Sequence, residues 1–537
     1  MKKAKVTFVF ICLGICLLVT SNTWAACQRV GTTCYPGSQS SLTNTQADVQ
    51  DCVTNYAQAG DTVSIAAGTP TWAGPVIVAN KNITIKGPDC TLNAAGQPTS
   101  CPLTITMSGN GTCTGCQWGN VAAFDFYTDS DSALTTGTSS AGTTVKKVSW
   151  RLHDLAITGN PGAVTSIINV FTYAYNPSNL GTDYPIMGWR IDHVKLDFSA
   201  YTNISRFFLI VGVTWGLVDH VNLVGSHAIY FYQMGLLNHE YYDGAGLTPQ
   251  QSYWGDFAWS IPLHLGSDEA LYVEDSLITE TGSPQGFNDM ASGASIVVRR
   301  STIVGTPTLY SHTGEGGLLG RGGGIKYEFY NNQCDGSAGS AFYWMAFQDS
   351  GTGVIYNNKV TGYSLNKVWP SLFRATTAYN YTNFFYGNCW GPSNFNYGGG
   401  ATRSYDGNLE SNGWPCLDQL GRGPGVALGT AQPSVPLYVW NNGPQDACYT
   451  GSGSPACDGS ANVTINAAGG TKVGTMADYI KTTAHSNGDK DYCIGTTTMP
   501  TSCGNHTNSY VAYTYPYPLQ AGGGTLLAVP TNLRVTQ

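Results

Sequence analysis

Four groupings of residues in this chain have the side chains and spacing that chemistry requires. Cys113-Thr-Gly-Cys116 has the spacing of a metal or redox pair. That use needs a second Cys or His pair, or a thioredoxin-like setting, and the sequence offers neither. The pair reads instead as the disulfide staple of a loop, with Cys90 and Cys101 nearby. Glu274-Asp275 and Arg299-Arg300 set a tandem of acids over a tandem of bases, 25 residues apart. Opposite charges at one repeat distance are expected to pair between neighbouring repeats, as corner electrostatics rather than catalysis. Asp268, Glu269 and Asp289 are carboxylates whose hard oxygens suit Ca²⁺ if they converge. The stretch 233–261 carries Tyr253, Trp254 and Trp259 among other aromatics, interrupted by Glu240, Asp243 and Asp256. Flat aromatic faces beside carboxylates suit sugar rings, through stacking and hydroxyl hydrogen bonds. The same residues equally suit a small satellite core packed on the flank of the fold.

What would hold such groups in place is a repeated unit between Val148 and Gly362. The segments SWRLHDLAI (149–157), GWRIDHVKL (188–196), WGLVDHVNL (215–223), LYVEDSLI (271–278), VVRRSTI (297–303), YEFYNNQC (327–334) and VIYNNKV (354–360) share one pattern. Apolar residues alternate, two residues break the phase, and alternation resumes. In the second, Trp189 and Ile191 share a face, as do Val194 and Leu196, yet the step from 191 to 194 is three. A strand keeps one face at steps of two, so each segment is strand, sharp corner, strand. The corner falls at Asp154, His193, His220, Asp275, Arg300, Asn331 and Asn357, at spacings of 39, 27, 55, 25, 31 and 26 residues. Repetition at that period marks a solenoid, the longest spacing being two coils or one coil with a large insertion. Parallel crossovers are right-handed, and the coil is expected to be so too. The position after the corner then stacks inward as Leu155, Val194, Val221, Ser276, Ser301, Asn332 and Asn358. Asn332 and Asn358 are expected to form an amide ladder that satisfies corner backbone groups.

Composition agrees. With 66 Gly in 537 residues and 11% charged side chains, the chain suits a β-rich protein full of turns. A solenoid can exceed the usual single-domain length because each coil packs on its neighbours alone. Lys2, Lys3 and Lys5, an apolar run to Val19 and then Thr23-Trp24-Ala25 read as a signal peptide over residues 1–25. The run is too short for a membrane span. A secreted protein is expected, extracellular, at the cell surface or periplasmic. Without Cys12 and Cys16, 14 of the 16 cysteines remain, an even number that speaks against lipidation of Cys27. Disulfides with at most one thiol left over are expected. Residues 26–60 form an N-terminal capping segment, in which Val49, Cys52, Val53 and Tyr56 give an amphipathic helix over 44–58. Residues 61–400 hold the coils, with the aromatic insertion 233–261, and 401–537 form a Cys/Gly-rich cap and tail. Cys389, Cys416, Cys448, Cys457, Cys493 and Cys503 are expected to brace that end.

Trp189-Arg-Ile-Asp-His193 and Trp215-Gly-Leu-Val-Asp-His220 are similar to the V-W-I-D-H segment of pectate lyases. The stretch from Arg321 to Asn332 resembles their R-x-G-x-x-H-x-x-N-N segment, two residues longer and with Lys or Tyr near the His place. Asp289, Ile296-Val-Val-Arg299 and His312 follow in the order of a coil carrying Asp, a V-T-I-S strand and His. The resemblance covers roughly residues 60–365 and lacks the family's R-x-P-x-x-R signature. It implies an all-β fold, the right-handed parallel β-helix of the pectate lyase-like superfamily, with an N-terminal capping helix and a disulfide-braced C-terminal cap. In that superfamily the cleft runs along a strand reached before the corner. The matching stretches here hold His227, His264, Asp268, Glu269, Asn288, Asp289, His312, Glu315, Arg321 and Arg374. Arg321, His312 and Asp289 become the expected catalytic residues. His264, Asn288 and Arg374, with Tyr253, Trp254 and Trp259, are expected to bind substrate, and Asp268, Glu269 and Asp289 to hold Ca²⁺. The implied activity is β-elimination on an acidic, uronic-acid-containing polysaccharide. A cation neutralises the carboxylate and a base removes the C5 proton. A glycoside hydrolase using Asp268, Glu269 and Asp289 is the first alternative. A noncatalytic carbohydrate-binding or adhesion protein is the second. The net charge of −8 gives no general attraction for polyanions, so a local cation is needed. The absence of any basic run speaks against nucleic acid as a partner. A monomer is expected.

Overall fold

The computed structural model describes residues 27–38, 41–108, 113, 116, 121–128, 134–162, 164, 166–172, 184–201, 206–225, 229–234, 261–280, 287–291, 293–305, 309–311, 324–336, 346–348, 351–361, 368–370, 396–397, 401–402, 420–421, 423–424, 435–442, 462–467, 470–475, 490–495 and 497–521. Nearly all regular structure is β, and it is dominated by two long sheets of parallel strands. The smaller has nine strands among the described residues, running in chain order from Val76–Ala79 to Val368–Pro370. Between successive visits to it the chain passes through the larger sheet. Asn288–Ala291 of the smaller sheet is followed by Ser295–Arg299 and Thr302–Val304 of the larger, and then by Leu309–Ser311 of the smaller. Each strand pairs in parallel with its equivalent one visit later.

The corner lies in the larger sheet. All seven corner residues have positive φ, between 50° and 58°, and Asn441 at 52° extends the series. Short polar side chains visit this left-handed region most readily, which suits the Asp and Asn members. His193 and His220 are helped there by parallel rings 5.1 Å apart and by Nδ1 contacts to Asp192 and Asp219. Immediately inside runs the expected ladder. Val221 N–H donates to Ser276 Oγ, Ser276 N–H to Ser301 Oγ and Ser301 N–H to Asn332 Oδ1, at 3.0–3.3 Å. Asn332 N–H donates to Asn358 Oδ1, and Asn358 N–H to Asn442 Oδ1, both at 3.1 Å. Each amide also donates to a carbonyl of the preceding coil: Asn332 to Val298, Asn358 to Phe329 and Asn442 to Ile355. Such a ladder satisfies buried backbone groups that a sharp turn removes from sheet pairing.

Val194, Val221, Ile278 and Ile303 all point into the core with 0% exposure. They do not form one stack. Ile278 and Ile303 continue a row through Leu196 and Leu223, two residues beyond the ladder row that holds Val194 and Val221. At the N-terminal end, Thr45 accepts Asp48 N–H and starts the helix Gln46–Asp51. Its continuation Cys52–Tyr56 is wound wider, with Ala57 N–H reaching Cys52 O. Val49, Cys52 and Val53 join the core.

Four disulfides lie among the described residues: Cys27–Cys52, Cys90–Cys101, Cys113–Cys116 and Cys493–Cys503. The first occupies the sulfur that lipidation would need. Cys34 and Cys334 are both buried thiols, one more than the even count suggested. Each fills a core position opposite aliphatic residues, Val63 for Cys34 and Ile303 and Val360 for Cys334, and Cys34 Sγ–H also donates to Asp61 Oδ2 at 3.9 Å. No helix among the described residues is long and apolar enough to cross a membrane.

On the outer face of the larger sheet, one row before the corner, stand Asp192, Asp219, Glu274 and Arg299, all 0% exposed. Arg299 Nε meets Glu274 at 2.6 Å, as the tandem charges led one to expect. Asp275 and Arg300 instead share Tyr515, which donates to Asp275 and lies 3.8 Å under the Arg300 guanidinium. Tyr515 belongs to a C-terminal strap over residues 508–521. Its carbonyls at Tyr513 and Thr514 accept from Arg299, and that at Leu519 accepts from Arg190.

Candidate active site

The expected site residues fall into three groups. Arg321, His312, Arg374, Tyr253, Trp254 and Trp259 lie outside the described residues. Asn288 and Asp289 lie on the strand Asn288–Ala291 of the smaller sheet. His264, Asp268 and Glu269 lie in the turn that leads into the strand Leu271–Glu274 of the larger one.

Met290 belongs to the core, so strand alternation puts Asp289 on the opposite, outer face; it is nevertheless 0% exposed. Register runs from Asp289 through Tyr232 and Leu209 to Asn169 and Asp125. Three strand spacings of about 4.8 Å separate Asp289 from Asn169, roughly 14 Å along the sheet. Asn169 and Asp125 are one spacing apart, both buried, and Ser166 Oγ donates to Asn169 Oδ1. Sequence reasoning passed over this pair. Its signal was a lone charge or amide on the outer phase of apolar strands, VAAFDFYT and SIINVFT.

The turn from His264 to Glu269 is built from three sides. His264 Nδ1 is 2.8 Å from Glu269 Oε2, and the other Glu269 oxygen accepts from Ser139 Oγ. Asp268 accepts Ser140 N–H at 2.9 Å and Ser140 Oγ–H at 2.7 Å. Ser139 and Ser140 arrive on the hairpin of Thr135–Thr138 and Thr144–Lys147. From below, Lys326 Nζ donates to His264 O, Glu269 O and Ser267 Oγ. Glu328 Oε1 accepts Gly266 N–H at 2.7 Å. On the strap side, Glu328 Oε2 accepts from Tyr510 OH, and Val511 O packs so closely on Gly266 that a Cβ there would sit 1.8 Å away. Gly266 also has φ of 73°, and both facts call for glycine.

Electrostatics follow from that packing. Burial, reinforced by the neighbouring Glu269, pushes the Asp268 carboxyl up, although Ser140 opposes it. Burial pulls the Lys326 ammonium down, countered in part by Glu328, Glu269 and Asp268. A carboxylate accepting from Nδ1 fixes the His264 tautomer and leaves Nε2 as a proton acceptor. Nε2 has no hydrogen bond to any described residue, and the side chain is 33% exposed. Beside the turn lies a shallow, water-sized hollow, with Trp215, Ile261, Pro262 and Leu263 on its apolar wall and Glu269 and Lys326 on its polar one.

The arrangement suits an imidazole taking up or releasing a proton. It suits a cation cage less well, because Asp268 and Glu269 spend oxygens on Ser139, Ser140 and His264, and Asp289 stands on the other sheet. Among the described residues no three His, Cys, Asp or Glu side chains gather to hold a metal ion. Ser139, Ser140 and Glu328 were not foreseen, and Lys326 was noted only as the residue near the His place of the stretch from Arg321 to Asn332. Lys326 and Glu328 could have been noticed as charges on the phase opposite Tyr327 and Phe329 of the core.

No protein family model and no curated protein matches the sequence. Among solved structures, the chain is similar to the PL6 family alginate lyase AlyGC, with 12% identity and a TM-score of 0.28 over 61% of this chain and 40% of that one. It is also similar to a mannuronic acid specific polysaccharide family 6 lyase from human gut microbiota, with 14% identity and a TM-score of 0.28 over 59% and 66%. An alginate lyase from Paenibacillus sp. str. FPU-7 has 11% identity and a TM-score of 0.26 over 60% and 95%. The chain spans under two thirds of the length of the first two. Similarity at this level assigns no residue a role.

Proposed function

We propose that the chain is a secreted polysaccharide lyase built on a right-handed parallel β-helix, acting on a uronic-acid-containing polymer by β-elimination. The observation that carries this reading is the His264–Glu269 pair, a partly exposed imidazole oriented through Nδ1 by a buried carboxylate. In the reaction Nε2 takes the C5 proton, the C–H electrons form C4=C5, and the C4–O electrons leave with the departing sugar, whose oxygen takes a proton from water. Glu269 holds the imidazole and stabilises it once charged. Ca²⁺ belongs to this proposal as the ion that would neutralise the substrate carboxylate, and no ligand set is assigned to it. The four disulfides suit the oxidising compartment that secretion implies.

A glycoside hydrolase needs two carboxyl groups open to the glycosidic bond. Asp268 and Glu269, both nearly fully buried and hydrogen-bonded, offer a poorer pair than the imidazole. The test is a panel of polyuronates with and without Ca²⁺, followed in the ultraviolet near ~232 nm where an unsaturated uronide absorbs, an elimination product that a base-catalysed route requires. Wild type should generate the chromophore and His264→Asn should not. New reducing ends without absorbance would establish hydrolysis instead, and binding without either product a noncatalytic module.

A further inference from the structure

His264 sits at φ of 37°, a conformation that non-glycine residues seldom take. The imidazole therefore depends on whatever fixes the backbone on either side of it. Sequence-local contacts do part of this, since Ser267 Oγ donates to His264 O at 2.6 Å and accepts Glu269 N–H at 3.3 Å. Beyond the hairpin that holds the Asp268 and Glu269 carboxylates and the strap that packs on Gly266, the backbone at both ends of the turn is tied to a residue 57–62 positions further along the chain.

Lys326 opens the strand Lys326–Tyr330. That strand lies two places from Leu271–Glu274, which the turn feeds, with Ser295–Arg299 between them. Ser295 pairs directly with Lys326, and Gly293 lines the same hollow. Their small side chains leave the lysine stem room to pass beneath the turn. Its ammonium has three hydrogens and meets three acceptors: His264 O at 2.9 Å, Glu269 O at 3.2 Å and Ser267 Oγ at 3.4 Å. Two of these are the carbonyls of the first and last residues of the turn. Glu328 Oε1, 3.7 Å from the ammonium, takes Gly266 N–H in the middle. Alternate residues of one strand thus hold the turn by both ends and its centre.

An ammonium with 1% exposure is costly to bury, and packing alone would be met more cheaply by Met or Leu. Neither an aliphatic group nor an amide can donate to three acceptors at once. We propose that Lys326 is the positioning residue of the site: by joining the carbonyls of His264 and Glu269 it keeps the imidazole on the Glu269 carboxylate with Nε2 open. The inference rests on the reading of His264 as the base.

The experiment is proton–nitrogen NMR of the histidine side chains in the full mature chain, with the His264 Nδ1–H signal assigned by its loss in His264→Asn. In wild type this proton, held by Glu269, should exchange slowly. Lys326→Met should speed its exchange at least tenfold and move its shift, and Ser267→Ala should do the same to a smaller degree. On whichever polyuronate the wild type degrades, Lys326→Met should lower kcat on the order of 10²-fold, as expected when a reacting group is misplaced by an ångström, with KM within twofold. A folded Lys326→Met whose His264 signal matches wild type in shift and exchange overturns the proposal. If that variant does not fold, Lys326→Gln, whose amide has two hydrogens for three acceptors, takes its place, and an unchanged His264 signal in it overturns the proposal. Undiminished elimination by His264→Asn would remove the base reading, while the NMR result would still decide whether Lys326 positions the imidazole.

Discussion

The corner ladder and the turn from His264 to Glu269 are both buried and hydrogen-bonded, yet they are assembled in opposite ways. In the ladder each coil supplies the same position, so Asn332 supports Ser301 and is itself supported by Asn358. A rung depends on its nearest neighbours and on nothing else. The turn is held by long-range hydrogen bonds between residues 57 to 249 apart, and Glu328 joins Gly266 to Tyr510 of the C-terminal strap. Among the described residues no neighbouring coil repeats these contacts. The difference teaches that translational repetition makes structure robust piece by piece. Convergence of remote segments instead gives a single position that every tie must respect.

The largest effect should therefore come from a tie at the turn. Glu328→Ala removes the carboxylate beside Lys326 and the acceptors of Gly266 N–H and Tyr510 OH. An uncompensated buried charge costs about 3–5 kcal/mol, and denaturant melts should show a loss of that size. The turn and the strap should loosen together, so protection of amide hydrogens should fall at Gly266 and at Tyr510 alike. Loss at one of them alone would break the contrast.

Asn358→Ala is the matching change in the ladder. It removes the acceptor for Asn332 N–H and Nδ2 and the donor to Phe329 O. Unsatisfied buried groups of this kind cost about 1–3 kcal/mol, and about 2 kcal/mol is expected here. Amide protection should drop in the two coils that flank Asn358 and stay unchanged at Val221 and Ser276. A drop along the whole ladder would show that its rungs are not independent.

The two regions also differed in how far the sequence revealed them. All seven corner residues, from Asp154 to Asn357, were legible because a three-residue step interrupts a two-residue alternation in every segment, with four of the six spacings between 25 and 31 residues. The inward row after the corner followed from the same register, rung by rung. His264, Asp268 and Glu269 could be picked out as chemistry-bearing residues, but their partners could not. Ser139 and Ser140 lie 128–130 residues away in a hairpin without a distinctive pattern, and two serines among many carry no signal of their own. That Asp289 joins a different sheet from the strand that Asp268 and Glu269 lead into was hidden for a related reason. Proximity in sequence, 20 residues, says nothing about which of two sheets a residue joins.

A smaller effect is expected from pH at the corner. Burial lowers the pKa of His220, but the hydrogen bond and charge of Asp219, with Asp275 beyond, outweigh it and leave the pKa raised. A raised folded pKa means that the native state holds the proton more tightly than the unfolded chain. The associated stability is fully present below the ordinary histidine value near ~6.5 and is lost as pH rises through the folded value. Thermal melts from acid to neutral pH should show wild type losing stability relative to His220→Gln across that window. Parallel curves for the two proteins would remove His220 from the pH response.

The smallest effect tests whether the corner backbone or its side chains set the repeat. Asn357 has φ of 56° and its side chain is exposed, in contact with Asn441. Glycine takes this conformation without a Cβ penalty, although its unfolded chain has more freedom to lose. The two contributions oppose each other, so Asn357→Gly should change stability by about 0.5 kcal/mol or less. Asn357→Ala keeps the Cβ in the left-handed region without the local hydrogen bonding that lets Asn sit there, and should cost about 1 kcal/mol. Paired denaturant melts resolve that difference. The comparison bears on the turn as well, because His264 also stands at positive φ, outside the corner series that the ladder supports. If Ala proves as good as Gly at 357, the ladder beneath imposes the corner regardless of residue type, and the left-handed backbone of His264 would be the strained one of the two.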